Sequence, residues 1–147
     1  MLEVENLTVA YGDILALQDV SFSLEAGEMI SIIGANGAGK TTLLNTLMGL
    51  VKARSGRVLF SEPLKNAGNE RQDILRLPAH DRAALGIRIV PERARVFPNL
   101  TVEQNLKMGV YGLSRSVDVQ RAFGEVYELF PVLKERRRQA GQTLSGG

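Results

Sequence analysis

The sequence predicts an α/β domain whose chemistry is centred on a phosphate-binding loop. Three observations carry this expectation. Gly34-Ala35-Asn36-Gly37-Ala38-Gly39-Lys40-Thr41 fits the pattern G-x-x-x-x-G-K-[ST]. The run before it, Met29-Ile30-Ser31-Ile32-Ile33, is apolar and β-branched and reads as a buried strand; Thr42-Leu43-Leu44-Asn45-Thr46-Leu47-Met48 after it reads as a helix. Finally, residues 1–90 are patterned mostly as strands with short helices, and residues 91–147 mostly as helices.

The loop pattern has a physical reason. Glycines let the backbone curl around a phosphate without Cβ collisions, so that successive N–H groups point inward. A helix starting near Gly39 adds the positive end of its dipole at the same place. Lys40 supplies a compact cation for the terminal phosphates, and Thr41 offers a hydroxyl to Mg²⁺.

The other elements follow in chain order. Leu2 to Val9 reads as a strand, Tyr11-Gly12-Asp13 as a turn, and Ala16 to Leu24 as a half-buried strand with Val20, Phe22 and Leu24 on one face. Glu25-Ala26-Gly27-Glu28 turns the chain into the run before the loop. The helix beyond the loop is expected to end near Gly49, and Arg57-Val58-Leu59-Phe60 to form another strand. Ser61 to Asn69 is polar with proline and glycine, a surface loop. Leu77 to Gly86 reads as a short helix closed by a glycine cap, and Ile87-Arg88-Ile89-Val90 as a strand stopped by Pro91. Thr101-Val102-Glu103-Gln104 has the form of a capping box, opening a helix through Met108. Asp118 to Phe130 is a second helix with Phe123, Val126, Tyr127 and Phe130 on one stripe. Pro131 breaks it, and Val132 to Gln139 is a short basic helix.

Composition narrows the function. The 147 residues suffice for one domain with a core. A net charge of +2 gives no reason to propose nucleic acid as a partner. No cysteine is present, which excludes disulfides and thiolate metal sites, and the single His80 cannot build a histidine-rich one. No apolar run approaches the ~20 residues of a membrane span, and the acidic start Met1-Leu2-Glu3-Val4-Glu5 is unlike a signal peptide, so the expected location is the cytoplasm.

Together these segments resemble the ATP-binding subunits of ABC transporters, a branch of the P-loop NTPases. Val20-Ser21-Phe22, Glu25-Ala26-Gly27-Glu28, the loop Gly34 to Thr42, Ser55-Gly56-Arg57-Val58, Pro91-Glu92 and Leu144-Ser145-Gly146-Gly147 fall in the family's order. Val90-Pro91-Glu92-Arg93-Ala94-Arg95-Val96-Phe97-Pro98, Leu100 to Leu106, Leu77-Pro78-Ala79-His80 and Leu85-Gly86-Ile87 look most like the branched-chain amino acid uptake group, with the urea-uptake group as the alternative. Ser61 to Gln72 is longer than expected for that group and reads as a surface insertion.

The resemblance implies ATP and Mg²⁺ as ligands. It places Tyr11 against adenine, Gly34, Ala35, Asn36, Gly37, Ala38, Gly39, Lys40, Thr41 and Thr42 around the phosphates, and Thr41 and Glu92 by the metal. Ser145, Gly146 and Gly147 would reach the γ-phosphate of ATP held by an opposite subunit. Arg93, Arg95 and Phe97 lie in the segment that meets membrane permease subunits, and Arg136-Arg137-Arg138 reads as a solvated basic face. The implied partners are a second ATP-binding subunit in a head-to-tail dimer, the permeases, and indirectly a periplasmic solute-binding protein; the subunit would be peripheral on the inner face of the membrane.

In the family, an acidic Asp-Glu pair and a later His lie beyond the signature motif, and none of them occurs in this chain. The expectation is a single truncated domain, residues 1–90 as nucleotide-binding core and 91–147 as Q-loop, helical subdomain and start of the signature, with no catalytic residue inside it. Its sheet is expected to lack the strand beside Ile30 to Ile33. The alternatives outside transport are a soluble ABC-type ATPase and a nucleotide-binding fragment without turnover.

Overall fold

The structure, a computed structural model, describes residues 1–61, 71–91, 96–111 and 118–144. The chain divides into two compact units, Met1–Ile89 and Val90–Gly147.

In the first unit, β1 (Leu2–Tyr11) and β2 (Ile14–Leu24) form a hairpin, followed by α1 (Lys40–Leu47), β3 (Ser55–Phe60), β4 (Gln72–Asp73) and α2 (Ala79–Ala84). The strands make one antiparallel sheet in the order β2-β1-β3-β4. The buried residues of β1 are Val4, Leu7 and Val9. Strict alternation would put Val4 and Leu7 on opposite faces. The register shifts between them, and Asn6, with φ = +47°, supplies the extra residue that returns Leu7 to the core. Ser21 holds this bulge: its Oγ accepts from the Asn6 N–H at 2.8 Å and donates to Asn6 Oδ1 at 3.2 Å. Val20, Phe22 and Leu24 share one half-buried face of β2, as the sequence predicts. The core joins Val4, Leu7, Val9, Leu17, Leu43, Val58 and Ile74, so α1 enters it through Leu43.

Two expected strands do not form. Met29 to Ile33 and Ile87 to Val90 lie outside every described strand. A buried parallel strand takes its hydrogen bonds from neighbours on both edges, and among the described residues neither segment has a strand to pair with. Several of their apolar side chains accordingly face solvent, Met29 at 93% exposure, Ile33 at 92% and Val90 at 93%, while Ile87 packs partly against the core. The helix expected over Leu77 to Gly86 does form, with Leu85 as its cap and Gly86 at φ = +92°. The stretch Ser61 to Asn69 lies outside the described residues but for Ser61, as does most of the insertion expected over Ser61 to Gln72.

The second unit holds α3 (Val102–Gly109), α4 (Val119–Leu129) and α5 (Pro131–Glu135). The capping box is present: Thr101 Oγ1 accepts from the Gln104 N–H at 3.2 Å, and Gln104 Oε1 accepts from the Thr101 N–H at 2.8 Å. Asp118 caps α4 by accepting from the N–H groups of Gln120 and Arg121. Phe123, Val126 and Tyr127 are half-buried, with the two rings tilted at 6.2 Å; Phe130 ends the stripe half-exposed. The basic helix expected through Gln139 stops at Glu135. The reason is a competing use of the backbone. The carbonyls of Arg137 and Gln139 accept from the N–H groups of Glu103 and Val102, and Thr101 bridges to Ala140. The segment is thus spent on capping α3 instead of extending α5.

Candidate functional site

The loop Gly34 to Gly39 joins directly to α1. Its last glycine is the helix N-cap, with φ = +87°, a left-handed conformation that L side chains rarely adopt. Space demands glycine there as well. A Cβ on Gly39 would sit 2.6 Å from the Ala16 carbonyl oxygen and 2.7 Å from Leu17 Cδ2. The loop therefore lies directly against β2. Gly37 also has positive φ, at +86°.

Gly39 has no side chain to cap the helix, so none is spent on the N–H groups of Lys40, Thr41 and Thr42. The first helical bond runs from the Leu43 N–H to the Gly39 carbonyl at 2.8 Å. These N–H groups, at the positive end of the helix, are suited to anionic oxygens. The Lys40 ammonium folds back over the loop and donates to the carbonyls of Gly34 at 2.6 Å and Ala35 at 2.7 Å. An ammonium has three N–H donors, so two close the loop and one remains for a ligand. Gly34 meets Ala38 at close range, a Cβ there lying 3.1 Å from the alanine methyl, and the Ala38 N–H donates to Ala35 at 3.2 Å. Asn36 is exposed. The loop is closed by the Lys40 side chain, whose ammonium spans it to the carbonyls of Gly34 and Ala35.

Gly39→Ala is expected to destabilise the first unit by about 2 kcal/mol or more, from the positive φ and the two close contacts, lowering its midpoint by about 10 °C. Thermal unfolding followed by circular dichroism checks this; an unchanged midpoint would show that the loop stands clear of β2.

Thr41 is exposed in the first turn of α1, and Thr42 is half-buried, its carbonyl accepting from Thr46 Oγ1 at 2.8 Å. Mg²⁺ prefers one or two protein oxygens with water and phosphate completing its shell. The Thr41 hydroxyl beside an anion cradle fits that donor set. Among the described residues no group of three His, Cys, Asp or Glu could hold a metal by itself.

Tyr11 sits at the tip of the β1–β2 hairpin, paired with Ile14 and half-exposed. Ala16, whose carbonyl touches the Gly39 position, lies two residues beyond Ile14 on the same strand. One hairpin thus carries both the tyrosine and the wall of the loop. Glu92, Arg93, Arg95, Ser145, Gly146 and Gly147 lie outside the described residues. Phe97 belongs to the second unit and is half-exposed.

Two residues that matter to the architecture escape the motif reading. Arg82 is 2% exposed and donates to four carbonyls: Leu77 at 2.9 Å, Thr46 at 2.6 Å, Leu47 at 2.9 Å and Leu75 at 2.6 Å. It closes the C-terminal end of α1, the helix whose other end carries the loop. Burial lowers its pKa, against the raising influence of Asp73. The available signal was its spacing from Pro78 and Leu85, which puts a cation on the apolar side of α2. In the second unit Asn105 plays a similar part. Its side-chain amide donates to Phe97, Leu100 and Thr101 carbonyls, and its Oδ1 accepts from the Phe97 N–H at 2.7 Å. Nearby, hydrogen bonding and charge from Lys107 hold the Glu103 carboxyl below its usual range, with smaller help from Arg137 and Arg138.

Comparison with known proteins places this geometry. The sequence model of the ABC transporter family matches residues 17–147. The chain is 43% identical over 147 residues to the high-affinity branched-chain amino acid transport ATP-binding protein BraG of Pseudomonas aeruginosa, covering all of this chain and 59% of BraG. It is 35% identical to the probable branched-chain amino acid transport ATP-binding protein LivF of Archaeoglobus fulgidus, covering 58% of that protein. It is also 34% identical to the lipopolysaccharide export system ATP-binding protein LptB of Haemophilus influenzae, again covering 58%. A nucleotide-free ATP-binding cassette from an ABC transporter superposes with a TM-score of 0.75 at 29% identity, over 99% of this chain and 59% of that one. The chain spans about three fifths of the length of these relatives. With the loop, the helix and the hairpin in the arrangement described, the chain belongs to the ABC transporter family of ATP-binding proteins.

Proposed function

We propose that this chain is the ATP-gripping part of an importer subunit that couples ATP binding and hydrolysis to uptake of branched-chain amino acids. The observation that carries the reading is the 43% identity to BraG along the whole chain, above the 34% to LptB. In this reading residues 1–90 form the nucleotide core and 91–147 the Q-loop, helical subdomain and start of the signature. Tyr11 stacks on adenine, and the loop N–H groups with Lys40 hold the phosphates. Thr41 and Glu92 attend Mg²⁺. Ser145, Gly146 and Gly147 face ATP on a second subunit, and permeases dock nearby, keeping the subunit on the inner membrane face. No described helix is long and apolar enough to cross a membrane itself.

The identity to LptB supports a second reading, lipopolysaccharide export. A chimera separates the two. This chain replaces the matching segment of BraG, and labelled leucine uptake is measured in cells lacking BraG; the same exchange is made in LptB. Uptake restored by the first chimera alone is the expected result. Function restored only in the LptB chimera would overturn the importer reading.

The isolated 147-residue chain has no Asp-Glu pair following a signature motif. Hydrolysis needs a group that orients water on the γ-phosphate. The chain alone is therefore expected to bind Mg·ATP without turnover. Phosphate release well above that of Lys40→Ala would contradict this.

A further inference from the structure

The tip of the β1–β2 hairpin overhangs the sheet. β1 pairs with β3 only as far as Thr8 opposite Ser55, whereas its pairing with β2 continues to Tyr11 opposite Ile14. Val9, Ala10 and Tyr11 therefore have β2 on one side and, among the described residues, no strand on the other. A two-stranded ribbon is marginal alone. Its turn is Gly12–Asp13, with Gly12 at φ = +60°.

Arg54 spans this overhang. It is the last residue before β3, and its N–H donates to the Thr8 carbonyl at 2.8 Å. Its guanidinium Nη2 donates to the Gly12 carbonyl at 3.2 Å. One residue thus grips β1 where the β3 ladder ends and grips the turn beyond it. Tyr11 lies immediately before the held carbonyl. On the returning strand, Ala16 abuts Gly39. The tyrosine is consequently fixed to the phosphate loop through β2 and to the sheet through Arg54.

We propose that Arg54 is a positioning residue for the base of the bound nucleotide: by holding the Gly12 carbonyl, it keeps the hairpin tip where the Tyr11 ring stacks on adenine. This rests on the nucleotide reading above. A guanidinium acting directly on phosphate would strengthen every triphosphate equally; one acting through Tyr11 serves only ligands with a base.

The test is calorimetric titration of the full chain with Mg·ATP and with magnesium tripolyphosphate, for wild type, Lys40→Ala, Arg54→Ala, Arg54→Lys, Tyr11→Ala and the Arg54→Ala/Tyr11→Ala pair. Arg54→Ala is expected to weaken ATP binding about fivefold, the worth of one hydrogen bond, and to leave tripolyphosphate within about twofold. Arg54→Lys, which still donates to the carbonyl, recovers most of the loss. In the Tyr11→Ala background, Arg54→Ala adds nothing further. Equal weakening of both ligands, an unchanged ATP affinity, or full additivity with Tyr11→Ala would overturn the proposal. If Lys40→Ala leaves both ligands bound as tightly as wild type, the nucleotide reading itself fails, and that outcome is recognised without reference to the base.

Discussion

Lys40→Ala is expected to weaken Mg·ATP binding by about a hundredfold, whereas Tyr11→Ala costs about tenfold. The difference follows from what each side chain meets. The Lys40 ammonium spans the loop, 2.6 and 2.7 Å from two carbonyls, with its remaining donor for the phosphates. Charge-assisted hydrogen bonds to concentrated anionic charge are the strong ones. Truncation also removes the two bonds that tie the Gly34 and Ala35 carbonyls to the start of α1. Tyr11, half-exposed at a hairpin tip, offers one ring face for which water competes. Titration with a fluorescent ATP analogue measures both; equal losses would contradict the assignment of the phosphates to this loop.

The second large effect is on stability. Arg82→Ala is expected to destabilise the first unit by about 4 kcal/mol, between a quarter and four fifths of the margin of a domain stable by about 5–15 kcal/mol. The substitution removes a donor from four carbonyls packed around the end of α1, of which Thr46 keeps the Gly49 N–H. It also opens a hole beside Gly49, where a Cβ would already approach Arg82 Nε to 2.9 Å. Arg82→Lys recovers only part, because an ammonium cannot reproduce the planar fork that serves several carbonyls at once. The guanidinium stays charged through the accessible pH range, so the effect does not depend on pH. Urea unfolding checks it, and a loss under about 1 kcal/mol would show that water replaces the guanidinium without cost.

What was legible in the sequence divides along physical lines. Local signals survived. The capping box at Thr101 and Gln104, the glycine stop at Gly86 and the half-buried face of β2 depend on residues near in sequence. The expectation of strands at Met29 to Ile33 and Ile87 to Val90 rested on composition alone. Ile30 and Ile32 are as β-prone as any residue, yet a strand exists only through a neighbour, and no described strand lies beside them. Periodicity also missed the bulge at Asn6. The three-residue step from Val4 to Leu7 looks like broken alternation until the positive φ of Asn6 is known. The left-handed turns at Gly37 and Gly39 were legible because the loop pattern places glycine where the backbone needs positive φ. Arg82 was not, since nothing local distinguishes an arginine that reaches carbonyls 35 residues away from one that reaches water. Arg54 was hidden for the same reason, its partner lying 42 residues earlier.

The central claim, that ATP phosphates sit in the loop from Gly34 to Thr41 with the base at Tyr11, is tested most directly by amide chemical shifts. The ¹⁵N-labelled chain is titrated with Mg·ATP. The largest shifts are expected at the N–H groups of Gly37, Gly39, Lys40, Thr41 and Thr42, with a separate response at Tyr11 and Gly12 that tripolyphosphate does not produce. Saturable shifts centred elsewhere in the chain, with the loop unmoved, would contradict it.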